Sequence, residues 1–157
     1  MSDNSTTREA VTCAIRHIGT GIYSSGKIKI YLIQKGYSED TVADAVKHLI
    51  DTGYIDDMRA SRKVLAARCG KKQESRQYIY KRLLEAGIAP DCADEIIATL
   101  ESDVDTCVSL FEASFGSITG DDIAGREDEF FKLAKLRGYS PETASKSFRL
   151  FQESHRD

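Results

Sequence analysis

The residue types that most readily do chemistry are thinly spread in this chain of 157 residues. Its three histidines, His17, His48 and His155, lie far from one another and from any candidate nucleophile. Its four cysteines, Cys13, Cys69, Cys92 and Cys107, form no CxxC pair, and no Cys–His spacing fits a zinc site. Free, partly buried thiols are expected. The sequence holds no GxxxxGK[ST], GxGxxG, HExxH or GxSxG. Asp56 and Asp57 are adjacent acids, but neighbours on a helix diverge by ~100° and do not easily share a metal ion. Asp57, at the start of a helical run, reads as an N-cap. These patterns predict no catalytic residue, no metal ligand and no cofactor.

What is concentrated is positive charge. Between positions 59 and 82 stand Arg59, Arg62, Lys63, Arg68, Lys71, Lys72, Arg76, Lys81 and Arg82, with Glu74 as the only acid. The chain as a whole carries a net charge of −3. Residues 1–58 hold six basic and eight acidic residues, and residues 83–157 hold seven and sixteen. A basic middle between acidic flanks is an interaction signal, for phosphates or for an acidic protein face. The charge does not form one stripe. Arg59, Arg62 and Lys63 share a helix face, whereas Arg68 lies about 140° away if the helix continues to it. Arg68 is therefore expected to be partly buried and paired, with Asp56 or Asp57 as the first partners to suspect. On the next helix Ile79, Leu83 and Ala86 form the core stripe, Arg76 and Arg82 flank it and Lys81 points away. Tyr23, Tyr31, Tyr54, Tyr78 and Tyr80 read mostly as core or boundary residues, with base stacking as the alternative.

The elements that must carry this charge are helices. Ala, Leu, Ile, Lys, Arg and Glu fill the periodic stretches, and prolines occur only at 90 and 141. KIKIYLI, from Lys27 to Ile33, alternates briefly but runs into a helix-like ending and reads as helix. Three segments align without gaps: LIQKGYSEDTVADAVKHL, LLEAGIAPDCADEIIATL and AKLRGYSPETASKSFRLF. Their glycines, Gly36, Gly87 and Gly138, stand 51 residues apart. Each glycine suits the left-handed position that ends a helix. Ser38 and Ser140 then cap the next helix, Pro90 and Pro141 take its first position, and Ala89 is a poor cap. The apolar faces that follow are Val42, Ala45, Val46 and Leu49; Ala93, Ile96, Ile97 and Leu100; and Ala144, Ser147, Phe148 and Phe151. One more helix fits before each pair, at Arg8–Ile18, Asp57–Cys69 and Val104–Phe115. The expected fold is all-α, three tandem three-helix repeats at 1–53, 54–102 and 103–157, each leaning on its neighbour.

No apolar run approaches the ~18–20 residues of a membrane span, and the polar start lacks a signal-peptide core. A cytoplasmic location is expected.

The segment YSSGKIKIYLIQKGYSEDTVADAVKHLIDTGYIDD, with Arg59, Arg68, Ile79, Leu83, Gly87 and Ile88 beyond it, resembles the RecX family of recombinase modulators. The family frame of Leu49, Gly53, Tyr54, Ile55, Asp56, Asp57 and Arg59 is kept. The family's Phe–Ala after that arginine is Ala60–Ser61 here, and its frequent Gly–Pro is Ser75–Arg76. The resemblance implies an elongated, curved all-α array that binds RecA, along the groove of the RecA–single-stranded-DNA filament. It implies restraint of strand exchange, ATP hydrolysis and co-protease activity, in DNA repair, homologous recombination and the SOS response. It implies a non-enzymatic, monomeric regulator, with the nine basic residues facing filament DNA or an acidic RecA surface. The acidic third repeat, with Asp121, Asp122, Glu127, Asp128 and Glu129, would approach a basic part of RecA or stay solvated. The alternatives are a small DNA-binding regulator using one helix–turn–helix pair and a helical scaffold for an unrelated protein.

Overall fold

The structure, a computed structural model, describes residues 4–156. These form α1 (Asn4–Ile18), α2 (Ser25–Gln34), α3 (Glu39–Asp51), α4 (Asp57–Ala66), a 3-10 turn (Gly70–Lys72), α5 (Arg76–Glu85), α6 (Pro90–Thr99), α7 (Asp103–Phe115), α8 (Gly120–Ile123), a second 3-10 turn (Ala124–Arg126), α9 (Glu127–Leu136) and α10 (Pro141–Ser154). No strand occurs among the described residues. KIKIYLI lies within α2, as its helix-like ending predicts.

The helix ends follow from local chemistry. Ser38 Oγ accepts the Thr41 N–H (3.2 Å) and Ser140 Oγ the Thr143 N–H (3.1 Å), each supplying an acceptor for a free first-turn donor. Pro90 and Pro141 open α6 and α10, where no helical hydrogen bond is lost. α2, α5 and α9 begin at 25, 76 and 127 and are ten residues long each. Gly36, Gly87 and Gly138, which end them, have φ of 96°, 86° and 89°.

The chain divides into two compact units, residues 1–64 with 82–96 and residues 65–81 with 97–157, so α4, α5 and α6 contribute to both. In the first unit α1 packs on α2 and α3. Its core is aliphatic: Ala10, Ala14 and Ile18 at helical spacing on α1, Ile28 and Leu32 on α2, Val42, Ala45 and Leu49 on α3, and Ile55. In the second unit α10 packs on α7 and α9. Its core is aromatic: Phe111, Phe130, Phe148 and Phe151, with Tyr139, Leu110, Cys107, Ile123, Ala134 and Ala144 around them. Phe130 meets Phe111 and Phe148 edge-on, both at 5.0 Å between ring centres, the arrangement that sets positive ring edges against negative faces.

Each unit contains the same joint. In the first, Ser24 Oγ caps α2 through the Lys27 N–H and donates to the Ala86 carbonyl (2.7 Å), while the Gly26 N–H donates to the Gly87 carbonyl (2.8 Å). A Cβ on Gly87 would strike Ser24 Oγ. In the second, Ser75 Oγ accepts the Tyr78 N–H, the Ser75 N–H donates to the Arg137 carbonyl (3.0 Å), and a Cβ on Gly138 would lie 2.7 Å from Ser75 Oγ. Glycine at 87 and 138 is thus required twice over, by its left-handed φ and by the closeness of a helix start.

One reading of the acids is corrected. Asp56, not Asp57, caps α4, accepting the Arg59 N–H at 3.1 Å. The Asp57 carboxylate instead accepts the Ser25 N–H (2.7 Å), the Ser25 hydroxyl (2.7 Å) and the Ala89 N–H (3.0 Å). It supplies acceptors at the start of α2 and just before α6, where Ala89 has no side chain to cap with. The second unit repeats this more thinly: Asp103 Oδ1 accepts the Arg76 N–H at 2.9 Å.

Candidate functional site

The basic segment extends over α4, the 3-10 turn at 70–72 and α5. Three of its nine cations are engaged within the fold. Arg68 Nε lies 3.5 Å from Glu74 Oε1, with the glutamate side chain only 3% exposed. Its partner is Glu74, not Asp56 or Asp57. The reason is that α4 stops at Ala66. A helical projection no longer applies at position 68, and the turn at Gly70 (φ 60°) brings Glu74 back toward it. Arg76 donates through Nε to the Glu101 carbonyl (3.1 Å) and through Nη2 to the Leu100 carbonyl. It thereby supplies donors to carbonyls that the end of α6 leaves free. Arg82 Nη1 lies 3.5 Å from Glu85 on the same helix, a half-exposed pair contributing about 0–1 kcal/mol.

The other six project. Arg59, Arg62 and Lys63 stand at i, i+3 and i+4 on the exposed face of α4 in the first unit. Lys71 and Lys72 stand side by side on the 3-10 turn, and Lys81 on α5, in the second unit. None of the six makes an ion pair among the described residues.

The turn bearing Lys71 and Lys72 is held from several sides. The Lys72 N–H donates to the Cys69 carbonyl (3.1 Å) and the Gln73 N–H to the Gly70 carbonyl (3.2 Å). The Arg68–Glu74 pair brackets it, and it packs against α7. Arg137 Nη2 donates to the Lys71 carbonyl at 3.0 Å, and the Arg137 carbonyl accepts the Ser75 N–H. One residue from the third aligned segment thus fastens both ends of the lysine-bearing stretch. Sequence reasoning missed Arg137: its partners lie more than sixty positions away, and nothing local marks it. Its Nε is buried without a hydrogen-bond partner.

A cleft of about 300 Å³ beside this turn is lined by Leu65, Arg68, Cys69, Glu74, Arg76 and Leu100, among others. On its walls Arg68 and Glu74 are paired with each other and Arg76 is bonded to backbone, so it is a seam of the fold. Among the described residues no group of three or more His, Cys, Asp or Glu could hold a metal ion, and no helix is long and apolar enough to cross a membrane. All four cysteines are free. Burial pushes the Cys107 thiol up to about 11 and raises the Tyr139 phenol, whose hydroxyl lies 2.8 Å from Thr106 Oγ1. Both belong to the second core.

Of the residues of the family frame, Gly53 (φ 85°) ends α3, Ile55 is buried, Asp56 and Asp57 serve caps and joints, and Tyr54 is half-exposed.

The chain matches no protein-family profile. It is 25% identical over 150 residues to the regulatory protein RecX of Pelodictyon phaeoclathratiforme, a span of 96% of this chain and 92% of the relative. It is 28% identical over 102 residues, 65% of this chain and 67% of the relative, to that of Prosthecochloris aestuarii. Its fold superposes on the crystal structure of RecX from Lactobacillus salivarius with a TM-score of 0.69, at 14% identity, covering 95% of this chain and 98% of the other. The chain is a homologue of the RecX regulatory proteins.

Proposed function

We propose that the chain acts in the cytoplasm as a monomeric regulator of the RecA recombinase. It binds RecA and its filament on single-stranded DNA and restrains strand exchange, ATP hydrolysis and co-protease activity, and so tunes DNA repair, homologous recombination and the SOS response. The observation that carries this reading is the homology to RecX proteins along nearly the whole chain, at 96% of its length. It fits a molecule in which the concentrated chemistry is cationic. The reading divides the chain into three repeats, 1–53, 54–102 and 103–157, of which the middle one meets the filament. Within it Arg59, Arg62, Lys63, Lys71, Lys72 and Lys81 contact phosphate or an acidic RecA face. Arg68, Arg76 and Arg82, together with Glu74 and Arg137, hold the elements that carry them.

The test is ATP hydrolysis by preformed RecA filaments as the chain is added. A fall in rate at substoichiometric amounts is expected. No effect up to equimolar RecA would sink the proposal. Tight, sequence-specific binding to duplex DNA without RecA would favour the helix–turn–helix alternative.

A further inference from the structure

The three aligned segments place Thr41, Cys92 and Thr143 at one position, the third residue of α3, α6 and α10. The two threonines are tied to their capping serines: Ser38 Oγ donates to Thr41 Oγ1 (2.9 Å) and Ser140 Oγ to Thr143 Oγ1 (3.0 Å). α6 has Ala89 where the serine would stand, so Cys92 meets no cap. Its thiol turns to α4 and donates to Met58 Sδ at 3.3 Å. Position 92 is thus released from helix-end chemistry, and its sulfur faces a second sulfur. Both residues belong to the first unit.

A thiol beside a thioether is a soft donor pair. Such sulfurs select Cu(I), whereas carboxylate and carbonyl oxygens suit Mg²⁺, Ca²⁺ or Mn²⁺. The neighbouring carboxylates are engaged: Asp57 accepts from Ser25 and Ala89, and Asp56 caps α4. Two sulfurs are too few for the tetrahedral set that zinc takes, and they are enough for a two-coordinate univalent ion. Burial, and then the negative charges of Asp57, Glu95 and Asp56, raise the Cys92 thiol. A field that disfavours the bare thiolate favours a cation on it. Cu⁺ replaces the thiol proton one for one: the S–H bond breaks, an S–Cu bond forms, the proton leaves to solvent, and Met58 Sδ donates a lone pair.

The geometry allows this with a small movement. Two sulfur–metal bonds of ~2.3 Å, the length of a zinc–thiolate bond, set the sulfurs ~3.8–4.6 Å apart. Met58 is 47% exposed and has three rotatable bonds, so its sulfur can draw back without disturbing the core. A thiol serving packing alone would be enclosed, as Cys107 is; this pair opens at the surface.

We propose that Met58 and Cys92 form a two-sulfur Cu(I) site between α4 and α6. The site does not depend on RecA, and its test contains none.

The experiment titrates Cu(I), kept reduced by ascorbate without oxygen, into the full chain carrying Cys69→Ser, against the coloured Cu(I) chelator bicinchoninate. The Cys69→Ser change removes the exposed thiol as a competitor. One ion per chain should be retained. Cys92→Ser should abolish retention, and Met58→Leu, which keeps the bulk, should weaken it at least about tenfold. Affinity should rise about tenfold per pH unit, one proton leaving per ion bound. Copper held as tightly by Met58→Leu, copper retained by Cys92→Ser, or displacement by equimolar Zn²⁺ would each overturn the site. Iodoacetamide labelling checks it without the Met58 and Cys92 substitutions. One equivalent of Cu(I) should slow alkylation of Cys92 severalfold, and an unchanged rate would also overturn it.

Discussion

In the first unit, the start of α2 is held by an aspartate, Asp57, that collects three donors, two from Ser25 and one from Ala89. In the second, the start of α5 is held by Asp103 through one, the Arg76 N–H. The first unit fills its interior with Ala, Ile, Leu and Val, the second with four phenylalanines and a tyrosine. The two share a joint of a capping serine against a left-handed glycine, and differ in what secures it. The comparison teaches that local helix-end chemistry recurs along the chain while stability comes from different sources. The first unit leans on a polar junction, and the second on aromatic burial.

The largest effect should come from the aromatic core. Phe130→Ala removes a fully buried ring that touches Phe111, Phe115, Phe148 and Phe151 and should cost about 3–5 kcal/mol. Hydrogen exchange is expected to rise in α7, α9 and α10, and unchanged protection there would break the aromatic half of the comparison.

Next comes the junction. Asp57→Ala strands three donors, one of them a hydroxyl that can turn to other acceptors, and should cost about 3 kcal/mol. Asp103→Ala strands one and should cost about 1 kcal/mol. Urea unfolding of the two variants checks the ratio; equal losses would contradict it.

The glycines sharpen the shared part. Gly138→Ala forces a side chain into φ 89° and against Ser75 and Tyr78, whereas Gly36→Ala at φ 96° enters open space. Both incur the left-handed strain of about 1–2 kcal/mol. Gly138→Ala adds a collision, so its thermal midpoint should fall further than that of Gly36→Ala.

The smallest effect is alkaline. The Cys107 thiol is raised by burial from 9.0 to about 11. A group ionising later in the folded state makes ionisation favour the unfolded chain. Its stabilising share is complete below pH ~9 and is lost as pH rises through ~11. Burial raises the Tyr139 phenol too, in the same direction. In the first unit the raised groups, Tyr31, Tyr37 and Cys92, are only half-buried. Melting followed by exchange between pH 8 and 11 should therefore weaken the second unit first. Equal weakening would remove this distinction.

Helix identity was legible in the sequence because its signals are local. Gly36, Gly87 and Gly138 end helices, Ser38 and Ser140 cap them, and Pro90 and Pro141 open them, all within a few residues of the elements they govern. The projecting face of Arg59, Arg62 and Lys63 follows from spacing alone. Arg68 was harder. Its position on a helical projection depends on where α4 ends, and the end at Ala66 carries no glycine or proline to announce it. Asp57 and Arg137 were not legible at all. Their partners, Ser25, Ala89, Lys71 and Ser75, lie 32 to 66 residues away in sequence, and only the folded chain brings them together.

The central claim is tested most directly by ATP hydrolysis on RecA filaments, titrated in parallel with the native chain and with Lys71→Glu/Lys72→Glu. Both residues are exposed on a turn whose backbone bonds they do not supply through their side chains, so the variant should fold. The native chain is expected to suppress hydrolysis below equimolar RecA. The variant should need roughly tenfold more, with a salt slope lower by about two. Undiminished hydrolysis with the native chain, or equal potency of the variant, would contradict the account.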